Sequence, residues 1–389
     1  MSGGSVYGAD DYDVMFADPV RREAYLEAIA RTVRAGDIVV EIGTGVGYFA
    51  VAACRAGARR VYAIERERSV ALAERLAAEN HLGERIICIR GDSTRIALPE
   101  RGAVLVHDLR GAIPLMADAI PTIVDARHRH LTPAARLIAE RDTIRAAPCS
   151  SPRRWASVEL ELGLAPGGIS RGTLAARARS QLRSDRLAGE SLCAEPAIVA
   201  VLDYAEITSP DIDSELTWVI DREASIEGIA LWFDAELAGG VTFSTAPGAT
   251  DTVYGHAFLP LERAIIASAG DTLAFRLRAR LLDGEYVMAW DTEWTPARSR
   301  GAPVRFRHSS LGSLVATAAD LEMRHPSFRP SASRLTLVRE LATLADGTRT
   351  ITDIAETLWR AHPQRFESSA DALTWAYRCH AALDNLSSR

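Results

Sequence analysis

Lysine is absent from this 389-residue chain: every one of its 45 basic residues is arginine. Together with abundant alanine, that bias is the codon signature of a GC-rich genome. Positive charge is also in deficit, 45 basic against 51 acidic residues for a net charge of −6. That argues against a general nucleic-acid binder, because neutralising phosphates takes a clustered positive surface. Cysteines are few and dispersed (Cys54, Cys88, Cys149, Cys193 and Cys379). An odd set without a CxxC pair excludes a disulfide framework and a zinc site, so reduced thiols and no metal are expected. Every apolar run is broken by charge well short of the roughly 18–20 residues that a membrane span needs. The opening MSGGSVYGADDYDVMF lacks the basic-then-apolar layout of a signal peptide. A cytoplasmic protein is expected.

What is present is ordinary globular material: 48% hydrophobic and 25% charged residues, with a mean hydropathy of −0.01. Such a composition excludes disorder as the dominant state, and the length suggests two or three domains. Residues 1–148 alternate β-branched runs (Asp37–Glu41, Val61–Glu65, Ile86–Arg90, Val104–Asp108, Arg136–Glu140) with helix-length stretches. Strands spaced by helices predict an α/β domain with a mostly parallel, Rossmann-like sheet. From 149 to 298 the texture is that of an all-β unit, with strands predicted at Ser157–Leu164, Ala197–Leu202, Gly228–Leu237 and Thr272–Leu282. A segment at about 168–195, rich in Arg, Ala, Ser and Gly, reads as helix plus loop inserted into it. A linker follows at Pro296–Ser310. The C-terminal part, 311–389, is predicted helical at Ser333–Ala345, Thr352–His362 and Ala370–Leu386.

The strongest chemical signal is VVEIGTGVGYFAVAACRAGARRVYAIE. A strand through Ile42 runs into the turn Gly43-Thr44-Gly45-Val46-Gly47 and then into a helix, and the next strand ends in Glu65. Glycines there let the backbone pass close under a ligand, and an acid ending the second strand suits ribose hydroxyls. The order E-x-G-x-G-x-G is not the dinucleotide pattern, and Glu41 at the strand end would repel a pyrophosphate. An acid there suits a positively charged ligand carrying an ammonium, namely S-adenosylmethionine. Asp92, with Ser93, follows the third strand, either to accept from an adenine amino group or as a solvated turn residue.

On these residues the chain resembles the protein arginine methyltransferases over roughly residues 12–298. Tyr12, Met15, Asp18, Arg21 and Tyr25 keep that family's spacing Y-x-x-M-x-x-D-x-x-R-x-x-x-Y, and Gly228–Asp234 and Phe243–Pro247 resemble its barrel signature. The resemblance implies a class I methyltransferase sheet followed by a β-barrel-like substrate domain, and a homodimer joined through an arm at about 168–195. It implies that Arg21 holds the cofactor carboxylate and that Met15 packs near the sulfonium, with Glu41, Gly43, Thr44, Gly45, Gly47, Glu65, Arg66, Asp92, Ser93 and Asp108 around S-adenosylmethionine and its product S-adenosylhomocysteine. Tyr12 and Tyr254 would face substrate.

The family's two clamping glutamates, in S-E-x-x-G-Y…E, are altered here. Asp108 takes the first position, Ala117 the second, and Asp118 falls one residue late. A planar guanidinium wants paired carboxylates, so the cofactor half reads as retained and the arginine-reading half as changed. The T-H-W-x-Q loop has become Thr252-Val253-Tyr254-Gly255-His256. Asp108 is the expected orienting carboxylate, and His107, Asp118 or His256 the expected base; His256 and Tyr254 can equally be packing residues. The pattern from Leu341 through Asp346-Gly347 to Leu358 resembles PqqD-like peptide-recognition modules, a winged-helix type, although a generic three-helix cap fits as well. That second resemblance implies capture of a leader peptide by strand addition. The expected function is therefore N-methylation of an amine on a ribosomally made peptide, as in daptide-type C-terminal amine dimethylation. The alternatives are an arginine methyltransferase with a degenerate clamp and a non-catalytic binding protein on the same scaffold.

Overall fold

Near-continuous apolar runs such as Val39–Ile42 and Val61–Ile64 suit strands covered on both faces, the condition of a parallel sheet between helices. A computed structural model of the chain describes residues 9–160, 178–282, 284–297, 303–310, 332–346, 348–366, 368–376 and 379. Strands β1 (Ile38–Ile42), β2 (Arg60–Glu65), β3 (Ile86–Arg90), β4 (Gly102–His107) and β5 (Leu131–Ile138) form one parallel sheet in the order β3-β2-β1-β4-β5. The order reverses beside β1, which puts the ligand-binding crevice at the carboxyl ends of β1 and β4. Helices α1 (Ala9–Ala17), α2 (Pro19–Thr32), α3 (Tyr48–Arg55), α4 (Val70–Glu79) and α5 (Ala119–Arg129) accompany it. Asp18 caps α2 by accepting from the Arg21 amide at 3.0 Å, and Pro19 fills the first helical position, where no amide donor is needed. Tyr25 on α2 is fully buried and stacks on Phe49 of α3, with ring centres 4.6 Å apart.

The turn after β1 depends on glycine. Gly47 has φ +84, and a Cβ there would lie 2.9 Å from the Ala73 Cβ and 3.1 Å from its Cα. Gly47→Ala is expected to cost about 1–3 kcal/mol through left-handed strain and the clash with α4. Denaturant unfolding reads this directly, and an unshifted midpoint would refute it.

The parallel layer gives way immediately after β5. Strand β6 (Arg141–Cys149) already belongs to an antiparallel sheet, paired with β8 (Ala197–Asp203) on one side and β10 (Ala224–Glu236) on the other. That sheet runs β7-β12-β10-β6-β8, with β7 at Arg183–Asp185, β12 at His256–Ala267, and β11 (Thr242–Ser244) added on β10. A four-stranded antiparallel sheet, β15-β14-β13-β9, completes the region: β9 is Ile212–Val219, β13 Thr272–Leu282, β14 Glu285–Thr295 and β15 Val304–Ser309. In β13 the period of two is plain. Leu273, Phe275, Leu277 and Ala279 are buried, while Arg276 and Arg278 pair outward with Asp213 and Asp291. The fold class is thus the expected one, a Rossmann-like parallel sheet followed by an antiparallel β domain.

Three local expectations are corrected. Ser157–Leu164 is not a strand in its described part: Pro152–Leu160 is a helix, α6, its Val-Glu-Leu-Glu-Leu alternation notwithstanding. A proline sits at its first position and the Ser151 carbonyl accepts from the Trp155 amide at 2.8 Å, so a helix start outranks the alternation. The Pro296–Ser310 linker contains β15, whose buried Phe306 and His308 face the core between outward Arg305 and Arg307. Of the arm at about 168–195, residues 168–177 lie outside the described ones. Arg183–Asp185 is β7, tied to His256–Phe258 of β12, rather than helix or loop.

A separate compact unit spans Ala316–Arg389. It holds α7 (Ala332–Leu344), α8 (Ile351–Ala361) and a helical stretch at 369–376 around Leu337, Leu341, Ile354, Leu358 and Phe366. A reciprocal capping box of Thr350 and Asp353 starts α8. The three predicted helices are present where described; residues 377–378 and 380–386 of the last lie outside. No strand occurs among this unit's described residues, so the wing of a winged helix is not seen there.

Candidate functional site

The glycine turn is a floor overlain by side chains from two directions. The Gly43 and Thr44 amides donate to the Ile64 carbonyl at 2.9 and 3.2 Å, which folds the turn back onto β2. A Cβ at Gly43 would lie 2.8 Å from Leu109, and one at Gly45 2.7 Å from the ring of Tyr12. Glu65 at the end of β2 accepts from the Gly45 amide at 2.8 Å and the Glu67 amide at 3.0 Å, which leaves each oxygen a lone pair for a hydroxyl. Arg66 donates to Asp92 at 2.7 Å, and Thr94 donates to Asp92 through its amide and its hydroxyl. Partial burial opposes the Asp92 charge, but these donors win and hold its carboxyl at about 2. Gly43, Glu65, Asp92, Ser93, Met116 and Asp118 are among the residues lining one continuous cavity at this edge of the sheet.

Glu41 carries the sharpest sign of a ligand. It is 3% exposed at the end of β1; the Thr44 hydroxyl and the Ala50 amide approach its carboxyl, but its Oε2 makes no well-formed hydrogen bond among the described residues. Burial pushes its carboxyl up to about 8. A buried acid oxygen left without a donor costs free energy unless something donates to it. The ammonium of S-adenosylmethionine answers that need, the Glu65 carboxylate suits its ribose, and the cavity suits its nucleoside. The residues present fit this cofactor.

Beside the turn runs a buried chain of alternating charge. Arg21 Nε donates to Asp108 at 2.5 Å and to the Tyr254 hydroxyl at 3.2 Å, with the guanidinium 5.1 Å from the Phe49 ring centre. Tyr254 in turn donates to Asp108 at 2.7 Å. Arg110 Nη1 donates to the other Asp108 oxygen at 3.0 Å and to the Tyr25 hydroxyl, while its Nε and Nη2 fork onto Asp142 at 2.7 and 2.9 Å. Tyr204 closes the chain by donating to Asp142 at 2.6 Å. Burial works against the Asp108 charge, yet Arg21 and Arg110 hold its carboxyl well below the usual carboxylate range.

The structure brings Arg21, Asp108 and Tyr254 together and groups Glu41, Gly43, Thr44, Gly45, Glu65, Arg66, Asp92 and Ser93 around the turn. Two of the expected bases lie in the core. His107 is buried, its Nε2 lies 3.2 Å from the Ala139 carbonyl, and burial drives its pKa down to about 3, so it stays neutral and inside the core. His256 accepts from the Leu187 amide through Nδ1 at 2.9 Å and is buried on β12, a packing role. Tyr12 lies over Gly45 of the glycine turn and donates to Ser69 at 3.0 Å. The Met15 carbonyl accepts from Arg21 at 3.4 Å. Asp118 lines the cavity with its carboxylate against Gly284. Sequence reasoning misses Arg110, Asp142 and Tyr204 and reaches Tyr25 only through the spacing after Arg21. The signal lay in Arg110, an arginine two residues from an acid in an otherwise apolar loop.

Comparison with known proteins finds methyltransferases. The TRM5/TYW2 methyltransferase domain matches residues 2–130. Probable protein arginine N-methyltransferase 6 of Arabidopsis thaliana is 26% identical over 237 residues, 59% of this chain and 54% of the relative. Probable histone-arginine methyltransferase CARM1 of Oryza sativa subsp. indica is 26% identical over 339 residues, 82% of this chain and 62% of the relative. The chain thus spans 54% and 62% of the length of these curated relatives. Protein arginine methyltransferase 10 of Arabidopsis thaliana has a TM-score of 0.69 at 20% identity, covering 78% of this chain and 98% of that one. The Trypanosoma brucei PRMT1 enzyme–prozyme heterotetrameric complex with AdoHcy also has a TM-score of 0.69, at 18% identity, covering 76% and 97%. The chain shares the fold of these arginine methyltransferase structures.

Proposed function

We propose that the chain is an S-adenosylmethionine-dependent N-methyltransferase acting on a protein or peptide. The observation that carries this reading is the unsatisfied, buried Glu41 Oε2 beside the glycine turn, with Glu65 and Arg21 around it. When bound, the cofactor supplies an electrophilic methyl on sulfur: an acceptor nitrogen's lone pair forms the N–C bond as the C–S bond breaks, and its electrons stay on sulfur. The chain's own part is positioning. Glu41 and Arg21 fix the amino-acid end, Glu65 and Asp92 the nucleoside end, and Asp108 orients the acceptor N–H bonds. With His107 and His256 committed to the core, Asp118 at the cavity wall or solvent takes the acceptor proton.

Two acceptors are supported by different observations. The relatives favour an arginine nitrogen. Ala117 at the second clamp position, and Asp118 drawn against Gly284, favour a small amine. The C-terminal unit is proposed to grasp an extended leader peptide, and the chain to pair with a second copy through the 168–195 region. The test is mass spectrometry of the full chain incubated with S-adenosylmethionine and two peptides, one Arg-Gly-rich and one bearing a primary alkyl amine. A gain of one or two methyl masses on nitrogen is expected, and no gain on either, with no donor bound by calorimetry, sinks the reading.

A further inference from the structure

Arg110 already has what an acceptor arginine would need. Asp142 takes its Nε and Nη2 as a two-point fork at 2.7 and 2.9 Å, and Asp108 takes its Nη1 at 3.0 Å. Its guanidinium lies 5.6 Å from the Phe233 ring centre and 6.0 Å from that of Tyr25. Paired carboxylates and aromatic faces are the recognition set for a planar cation, and here the chain's own side chain fills it. Its side chain is 1% exposed and that of Asp142 0%, so neither swings out to make room.

In the chain by itself the charges beside Asp108 are balanced, Arg21 and Arg110 against Asp108 and Asp142. Position 117 adds no carboxylate and Asp118 leans on Gly284. A third guanidinium would meet Arg21 and Arg110 at Asp108, whose two oxygens they already take, and displacing Arg110 there would cost it a buried hydrogen bond while its Asp142 fork remains.

We infer that Arg110 is the specificity-determining residue of the acceptor side: by occupying Asp108 it excludes guanidinium acceptors and admits a nitrogen that arrives uncharged, a neutral alkyl amine. This rests on the chain being an N-methyltransferase. An amine presented as its ammonium meets the same two arginines, so its capture rises with pH as the free base grows.

The experiment is calorimetric binding of blocked arginine and blocked lysine to the full chain held with S-adenosylhomocysteine. The parent is expected to give no blocked-arginine binding and lysine binding that strengthens from pH 7 to 9. In Arg110→Met/Asp142→Asn, which removes the cation and its buried counter-charge together, blocked arginine is expected to bind at least tenfold tighter, with S-adenosylhomocysteine affinity within threefold of the parent. Arg110→Lys keeps a cation on Asp108 and is expected still to refuse arginine. Blocked arginine binding the parent as tightly as the double variant would overturn the inference while leaving N-methyl transfer standing. A parent that binds no S-adenosylhomocysteine would overturn both. Should the double variant not fold, the parent decides alone: arginine binding, or lysine binding flat with pH, overturns the inference.

Discussion

Asp108→Asn is expected to lower stability by about 3–5 kcal/mol and to remove methyl transfer at the same time. The substitution leaves Arg21 buried without its carboxylate while Arg110 keeps only Asp142, and breaking a buried pair from one side costs that much because the remaining charge is uncompensated. The sign with pH follows from the depressed carboxyl. Its contribution is fully present above the ordinary value of 3.8 and is lost as pH falls through the folded-state value. The gap between parent and variant in denaturant unfolding is therefore widest near neutrality and closes in acid. A parent-like unfolding midpoint at pH 7 with turnover within threefold would remove Asp108 from both roles.

Glu41→Gln is expected to move stability the other way. The folded chain holds this carboxyl near 8 against an ordinary 4.5. Between those values the unfolded chain releases a proton that the folded chain keeps, so the parent loses stability as pH rises, at about 1.4 kcal/mol per pH unit. The glutamine variant escapes that loss. It is expected to equal the parent below pH 4.5 and to exceed it by about 3–5 kcal/mol at pH 8. Its affinity for S-adenosylmethionine is expected to fall at least tenfold, since an amide has no charge to set against an ammonium. In the parent, donor binding below pH 8 releases a proton from Glu41, which calorimetry in two buffers of different ionisation enthalpy measures. A variant that is no more stable at pH 8, with donor affinity retained, would leave Glu41 as ordinary core.

The two substitutions divide what the chain's order of residues reveals from what it conceals. The glycine turn with Glu41 and Glu65 is legible because its chemistry is local: each strand end and each glycine serves a backbone feature within a few residues. Arg21 and Asp108 are legible through spacing, although nothing local says that they pair with each other. Arg110 and Asp142 are not legible, because their fork joins the loop after β4 to the first strand of another sheet, and a contact between sheets leaves no periodic trace. His107 shows the same limit from the other side. A histidine next to an acid reads as chemistry until its ring is found against the Ala139 carbonyl. β15 was hidden for a simpler reason, since Arg305 and Arg307 on its outer face make the segment read as a polar tether.

One carboxylate ties α2 to the loop before β12. Asp18 Oδ1 caps α2 at the Arg21 amide, and its Oδ2 accepts from the Val253 amide at 2.8 Å, next to Tyr254. The helix that carries Arg21 and the loop that carries Tyr254 are thereby clasped by a single side chain. Loss of that one carboxylate would loosen the cap of the helix and the tether of the loop together.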